Sequence, residues 1–312
     1  MRELQVISGN QIVESKSLSA GLFERFINYL DASPKTVESY TKALRQLFGY
    51  FALNGIKKPT REDLIAFKED LKNSGHKPTT IQNYITAARI FFTWTEQEGY
   101  YPNIANHLKG AKLSREHKKD YLTSRQVKNV LDKVETDRIK GIRDYAILTL
   151  MVTGGLRTIE VARADIGDLR TLGDNTVLYI QGKGRVEKED YVKIPAKVEA
   201  AIREYLAVRN ESDASAPLFA STSNNSKGGR LSTRSISAIA KSSLVNAGYN
   251  SPRLTAHSLR HTAVTLSFLA KKDITEVQQF ARHANIATTM IYNHALENAK
   301  NSCSEAIADA IF

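Results

Sequence analysis

Apolar residues recur at three- and four-residue intervals along much of this chain, and one region breaks that rhythm strongly. There Thr176-Val-Leu-Tyr-Ile180 is followed by Gly182-Lys183-Gly184, a polar stretch, and Tyr191-Val-Lys-Ile194 ahead of Pro195. Side chains change face every residue in a strand and every 3.6 residues per turn in a helix, so this region reads as a β-hairpin within a helical protein. The patterning predicts a mainly α fold with a small β-sheet. The chain has 312 residues, and at roughly 100–200 residues per domain it is expected to form two domains, each burying its own core.

In the N-terminal part, Ser33-Pro34 opens the first clear helix, on which Val37, Tyr40, Leu44, Leu47 and Phe51 share a stripe before Asn54-Gly55 ends it. A second helix is expected over about Arg61 to Asn73, and a third after Pro78, with Ile81, Ile85, Ala88 and Phe92 on one face. Residues 18–108 thus read as an all-helical domain behind a short extension, residues 1–17. Between about Asn106 and Lys119 the apolar rhythm lapses. Lys109, Lys112, Arg115, Lys118 and Lys119 meet only Glu116 as a nearby acid, and residues 109–119 read as a basic interdomain linker. The second domain, 120–312, begins with Thr123 and Gln126 at capping-box spacing ahead of Val127, Val130, Leu131 and Val134. At its far end Leu296, Ala299, Cys303, Ala306, Ile307, Ala310 and Ile311 predict one amphipathic helix over 296–311.

Charge and cysteine usage narrow the function. Lys and Arg number 44 against 33 Asp and Glu, a formal net charge of +11, which suits a polyanionic partner and equally suits simple solubility. Cys303 is the only cysteine, which leaves no intramolecular disulfide framework and no thiolate zinc cluster. No stretch approaches the ~18 apolar residues of a membrane span, so no membrane role and a cytoplasmic location are expected.

Groups with chemical potential concentrate in the second domain: Thr153-Gly-Gly-Leu-Arg157, Lys183, His257-Ser-Leu-Arg-His261, and His283 ahead of Thr288-Thr-Met-Ile-Tyr292. His257 and His261 are spaced to share a helix face, but Ser258 stands where a zinc-hydrolase helix needs its acid, so metal hydrolysis is disfavoured. Gly182-Lys183-Gly184 is too short for a P-loop and no helix start follows it, so nucleotide hydrolysis is disfavoured too. What remains is a set of cations and a phenol, the equipment for nucleophilic attack on a phosphodiester. Guanidiniums fork onto nonbridging oxygens, histidines donate hydrogen bonds or move protons, a lysine protonates the leaving oxygen, and a tyrosine attacks phosphorus. Taken singly each residue has an ordinary explanation: a surface ion pair for Arg157 or Arg260, a turn lysine for Lys183, half-buried core for Tyr292.

The ordered set resembles the tyrosine site-specific recombinase, or phage integrase, family. The segments TGGLRTIEVARADIGDL, QGKGR, HSLRH and ARHANIATTMIYNHA carry the resemblance, and SPKTVESY and KPTTIQNYITAARIFFTW extend it to the family's helical core-DNA-binding domain. The resemblance implies a site-specific recombinase that cleaves and rejoins double-stranded DNA through a 3′-phosphotyrosyl intermediate and exchanges strands via a four-way junction. Position by position, it implies Tyr292 as nucleophile, Arg157 and Arg260 holding the scissile phosphate, and Lys183 as general acid. His257 would be a phosphate contact and proton acceptor, His283 a further donor, and Glu160 and His261 supporting groups. It implies no cofactor and no metal, a homotetramer on two DNA sites joined through the C-terminal helix, nucleoid association, and accessory proteins as potential partners. With so short a stretch before Leu18, no arm-binding domain is expected, as in the simpler Xer-type enzymes. A type IB topoisomerase and a catalytically silent DNA-binding factor are the competing readings. One departure stands out: where the family usually has Leu-Gly-His, this chain has Ala281-Arg282-His283. Arg282 is expected either to add a cation near DNA or to shift the following helix by its bulk.

Overall fold

The computed structural model describes residues 6–8, 11–13, 20–112, 120–182, 187–299 and 302–312. It opens with a two-stranded antiparallel ribbon, β1 (Val6–Ser8) and β2 (Gln11–Val13), in which Ile7 pairs with Ile12. Three residues per strand are too few for alternation to register in the sequence, and no strand is expected there. Four helices follow: α1 (Ala20–Tyr29), α2 (Pro34–Leu53), α3 (Arg61–Asn73) and α4 (Pro78–Gln97). Side-chain caps mark the starts of α2 and α3. The Ser33 hydroxyl accepts from the Thr36 amide at 3.3 Å, with Pro34 in the first turn of α2. Thr60 and Asp63 exchange side-chain and backbone hydrogen bonds at the head of α3. In α1, Phe26 is completely buried against Phe91 and Trp94, with ring centroids 5.1 and 5.3 Å away. At about 1.5–3 kcal/mol per fully buried large apolar side chain, this packing stabilises the placement of α1. Leu44, Leu47, Phe51, Leu64, Phe67, Ile85 and Phe92 complete this core.

The chain divides between Arg115 and Glu116 into two compact units. Of the basic linker expected over 109–119, residues 113–119 lie outside the described residues. The second unit begins with α5 (Ser124–Asp132), headed by the Thr123–Gln126 capping box, and α6 (Ile139–Gly154), a helix buried along most of its length. Then come α7 (Thr158–Arg163), a one-turn 3-10 helix at 166–168, β3 (Leu169–Leu172), β4 (Asn175–Ile180) and β5 (Asp190–Lys193). The strands form an antiparallel sheet in the order β3-β4-β5, with Leu178 opposite Leu169 on one side and Val192 on the other. The sheet thus has a third strand beyond the expected hairpin. β3 is an edge strand, exposed for most of its length, so it carries no apolar alternation to betray it. The fold is mainly helical with a small β-sheet, as the patterning requires.

Helices α8 (Ala196–Arg209), α9 (Thr233–Asn246), α10 (Ala256–Leu269), α11 (Ile274–Ala281), α12 (Ile286–Ala299) and α13 (Cys303–Ile311) complete the unit. α6 packs against α8 and α10, burying Ile147, Leu150, Met151, Ile202 and Leu259. The C-terminal segment is two helices rather than the single amphipathic helix expected over 296–311. Leu296 and Ala299 belong to α12, the helix that carries Tyr292, while α13 starts afresh after Ser302. Ser302, a residue type that favours caps over helix interiors, stands at the head of α13. Ile307, Ile311 and Phe312 are exposed on and beyond α13. Among the described residues no helix is long and apolar enough to cross a membrane.

Candidate active site

α6 stops because Gly155 turns left-handed, with φ of 57°. A side chain there would meet the Phe280 ring at 3.1 Å, so the position needs glycine for both conformation and space. The reversal buries Leu156 and delivers Arg157 to the N-cap of α7. Glu160, one turn on, closes the unit: one carboxylate oxygen accepts the Arg157 backbone N–H at 2.8 Å, and the other accepts a guanidinium N–H of Arg157, also at 2.8 Å. Glu160 is fully buried, whereas the Arg157 side chain keeps 29% of its exposure. Burial pushes the Glu160 carboxyl up, but Arg282 and Arg157 together pull it below the ordinary carboxylate range.

One face of α10 contributes His257, Arg260 and His261. Arg260 is almost wholly buried, and its guanidinium donates to the carbonyl of Gly155 at 2.5 Å and to that of Ala281. These are carbonyls at helix ends, which lack partners within their own helices. Burial, with Arg157 and Arg282 close by, lowers the Arg260 pKa to about 9, so the group is still cationic at neutral pH. The His257 ring lies 4.6 Å from that of His261, and the His261 ring lies 5.0 Å from Tyr292. The His283 ring also stacks with the phenol, at 6.1 Å. Its Nδ1 is 2.9 Å from the hydroxyl of the buried Thr289. Burial and the neighbouring cations Arg260, Arg157 and Arg282 lower the His283 pKa to about 4, which makes it a neutral hydrogen-bonding group near pH 7. Tyr292 itself is 6% exposed. Burial raises its pKa, against the pull of Arg260 and Arg157.

Arg157, Glu160, His257, Arg260, His261, His283 and Tyr292 therefore gather from α7, α10, α12 and the turn after α11. Lys183 lies outside the described residues. The other lysine of the hairpin, Lys188, is held between the carboxylates of Asp165, at 2.5 Å, and Asp168. Arg282 is the C-cap of α11 with a left-handed φ of 52°, and α12 starts beyond it at Ile286. Its side chain turns inward instead of toward solvent, to 10% exposure, and donates to Glu160 at 3.1 Å and to the Phe280 and Gly155 carbonyls at 2.8 and 3.1 Å. The fully buried Glu160 carboxylate supplies the reason, since it attracts the guanidinium inward. The partnership spans 122 residues, and its only trace in the sequence is arginine where the family has glycine. Beside the site, an open cavity of about 610 Å³ is lined by Arg157, His257, Arg234, Lys241, Ser237 and Thr255.

Residues 120–299 match the phage integrase family, and residues 23–99 match the phage integrase N-terminal SAM-like domain. The chain belongs to the phage integrase family and is a tyrosine recombinase. It is 32% identical to tyrosine recombinase XerC of Shewanella amazonensis over 88% of this chain and 90% of the relative. It is 29% identical to XerC of Herpetosiphon aurantiacus over 87% and 89%. Among solved structures it is similar to the XerH site-specific recombinase bound to palindromic difH substrate in a post-cleavage complex, with a TM-score of 0.74, 22% identity, and coverage of 93% of this chain and 86% of that one. It also resembles a lambda integrase tetramer bound to a Holliday junction, with a TM-score of 0.67, 16% identity, and coverage of 87% and 76%. The topoisomerase and silent-factor alternatives are not favoured by these matches.

Proposed function

We propose that this recombinase cuts and rejoins double-stranded DNA with Tyr292 as nucleophile. The Tyr292 oxygen attacks the scissile phosphorus, the bond from phosphorus to the 5′-oxygen breaks, and a 3′-phosphotyrosyl link forms. Lys183 gives its proton to the leaving 5′-oxygen, and His257 takes the phenolic proton. Arg157, which lines the open cavity, and the buried Arg260 hold the phosphate and balance the charge that grows in the transition state. His283, neutral near pH 7, donates one further hydrogen bond, and Glu160 and His261 support the arginine and the phenol.

The observation that carries this reading is the convergence of a covered phenol, two guanidiniums and three imidazoles from α7, α10, α12 and the turn after α11, of which Arg157 and His257 also line a basic cavity. The capture of Lys188 by Asp165 and Asp168 supports Lys183 as the acid, because a lysine already held by two carboxylates is a poor proton donor to a third group. The covered state of Tyr292 supports a cycle in which DNA entry uncovers the phenol. The covalent link conserves the phosphodiester energy, so rejoining needs no ATP and no metal.

The first unit, with Lys42, Arg45 and Lys77 exposed, serves as the core-DNA-binding domain. The exposed apolar residues of α13 serve assembly into a tetramer on two sites, with strand exchange through a four-way junction. A nicked suicide duplex tests the chemistry: the wild type accumulates a covalent protein–DNA adduct, and Tyr292→Phe binds the duplex and forms none. An adduct persisting in Tyr292→Phe moves the nucleophile elsewhere.

A further inference from the structure

We propose that Arg282 is a positioning residue, acting through Glu160 to fix the Arg157 guanidinium in its phosphate-binding orientation. The inference rests on the strand-cleavage reading above and adds a part that the family's glycine cannot supply. Arg282 sits in a left-handed conformation that glycine adopts more cheaply. Its cation is buried, and its Nε has no hydrogen-bond partner among the described residues. Strain, desolvation and an unmet donor all weigh against arginine at this place, and such an arrangement persists where the surroundings over-determine it.

The surroundings show what is gained. One Glu160 oxygen receives the Arg157 backbone N–H and the Arg282 guanidinium, which leaves the other directed at the Arg157 guanidinium. With a smaller residue at 282, the carboxylate would keep only Arg157, and the outer oxygen would be freer to rotate away from it. Arg282 is itself tied at two further points, the Phe280 carbonyl near the end of α11 and the Gly155 carbonyl at the end of α6. Gly155 also receives Arg260. The two guanidiniums assigned to the phosphate are thus referenced to one another through Arg282, Glu160 and a single helix end. With glycine at 282, Glu160 would also neutralise Arg157 alone; with arginine, the pocket keeps one more positive charge for the phosphate.

The test compares full-length wild type, Arg282→Gly, Arg282→Lys, Glu160→Gln and the Glu160→Gln/Arg282→Gly double variant, with Tyr292→Phe as control. Glycine suits the left-handed turn, so Arg282→Gly is expected to fold, and thermal unfolding checks this. On the nicked suicide duplex at saturating protein, Arg282→Gly is expected to lower the single-turnover rate of adduct formation roughly tenfold to a hundredfold, as misplacement of a reacting group does. Its Kd for the same duplex stays within about twofold of wild type, the split expected when an interaction serves the transition state rather than ground-state binding. Arg282→Lys restores part of the rate, and in the Glu160→Gln background Arg282→Gly adds little, because both lie on one path. A wild-type rate in Arg282→Gly overturns the proposal. So does a rate loss that tracks the drop in melting temperature and is not relieved by lysine, which reduces Arg282 to a structural contact. An adduct in Tyr292→Phe would instead refute the assignment of the nucleophile and leave the Arg282 comparison to be read separately.

Discussion

Replacing Glu160 by glutamine removes one negative charge from a site where it faces two guanidiniums and has no exposure to water. The amide is nearly the same size, so the substitution leaves no cavity, and its carbonyl can still accept one hydrogen bond. Its NH₂ group, however, meets either Arg157 or Arg282 donor to donor. Breaking a buried ion pair from one side costs about 3–5 kcal/mol, because the surviving charges remain out of water and unmatched. The second unit, Glu116–Phe312, falls in the size range where 1 kcal/mol moves the melting temperature by about 2–4 °C, so a fall of about 6–20 °C is expected. Calorimetry of the full chain measures it. The pH dependence supplies the sign: the native Glu160 pKa lies below the ordinary value of 4.5, so its contribution is complete above that value and is lost as pH falls through the native pKa. The stability gap between wild type and Glu160→Gln should be constant from pH 6 to 8 and close in acid. A fall of less than about 2 °C at pH 7, against the 3–5 kcal/mol argued from burial, would refute the view that this carboxylate is the electrostatic centre of the site.

Three further outcomes follow. Gly155→Ala should lower stability by about 1–2 kcal/mol, through the left-handed φ and the 3.1 Å approach to Phe280, and differential scanning calorimetry reads it directly. Deleting residues 303–312, which removes the exposed Ile307, Ile311 and Phe312, should spare binding to one site and weaken assembly of the paired complex in gel-shift and ultracentrifugation experiments; unchanged pairing would exclude α13 from the interface. DNA affinity should fall steeply with salt, by about 0.9 logarithmic units per tenfold rise in salt for each phosphate neutralised, and charge reversal at Lys42 and Arg45 should flatten that slope. An unchanged slope in that variant would remove these residues from the DNA contact.

Local signals carried much of the fold. Ser33-Pro34 and the Thr123–Gln126 pair act within one turn of the backbone, and the stripes on α2 and α4 follow from residues three and four apart. Such features were legible because their partners lie within a few residues. Elements that depend on distant packing were not. β3 is defined by pairing to β4 and carries no strong signal of its own, whereas α1 does carry a stripe at helical spacing, Phe23, Phe26, Ile27 and Leu30, packed against rings from α4. The C-terminal stripe misled for a related reason: periodicity records which residues would share a face, and it passes over a polar break that starts a new helix after Ser302.

The site divides along the same line. Residue types and their order determined which groups are present for phosphodiester chemistry: arginines, histidines, a hairpin lysine and a tyrosine. Only the tertiary structure decided how they are engaged. It packs Tyr292 against His261 and His283, sets Arg260 on the ends of two helices, and draws Arg282 inward to Glu160. The physical reason is range. Propensity, capping and periodicity are written in neighbouring residues, whereas the direction a guanidinium takes depends on a buried carboxylate that only folding brings within hydrogen-bonding distance.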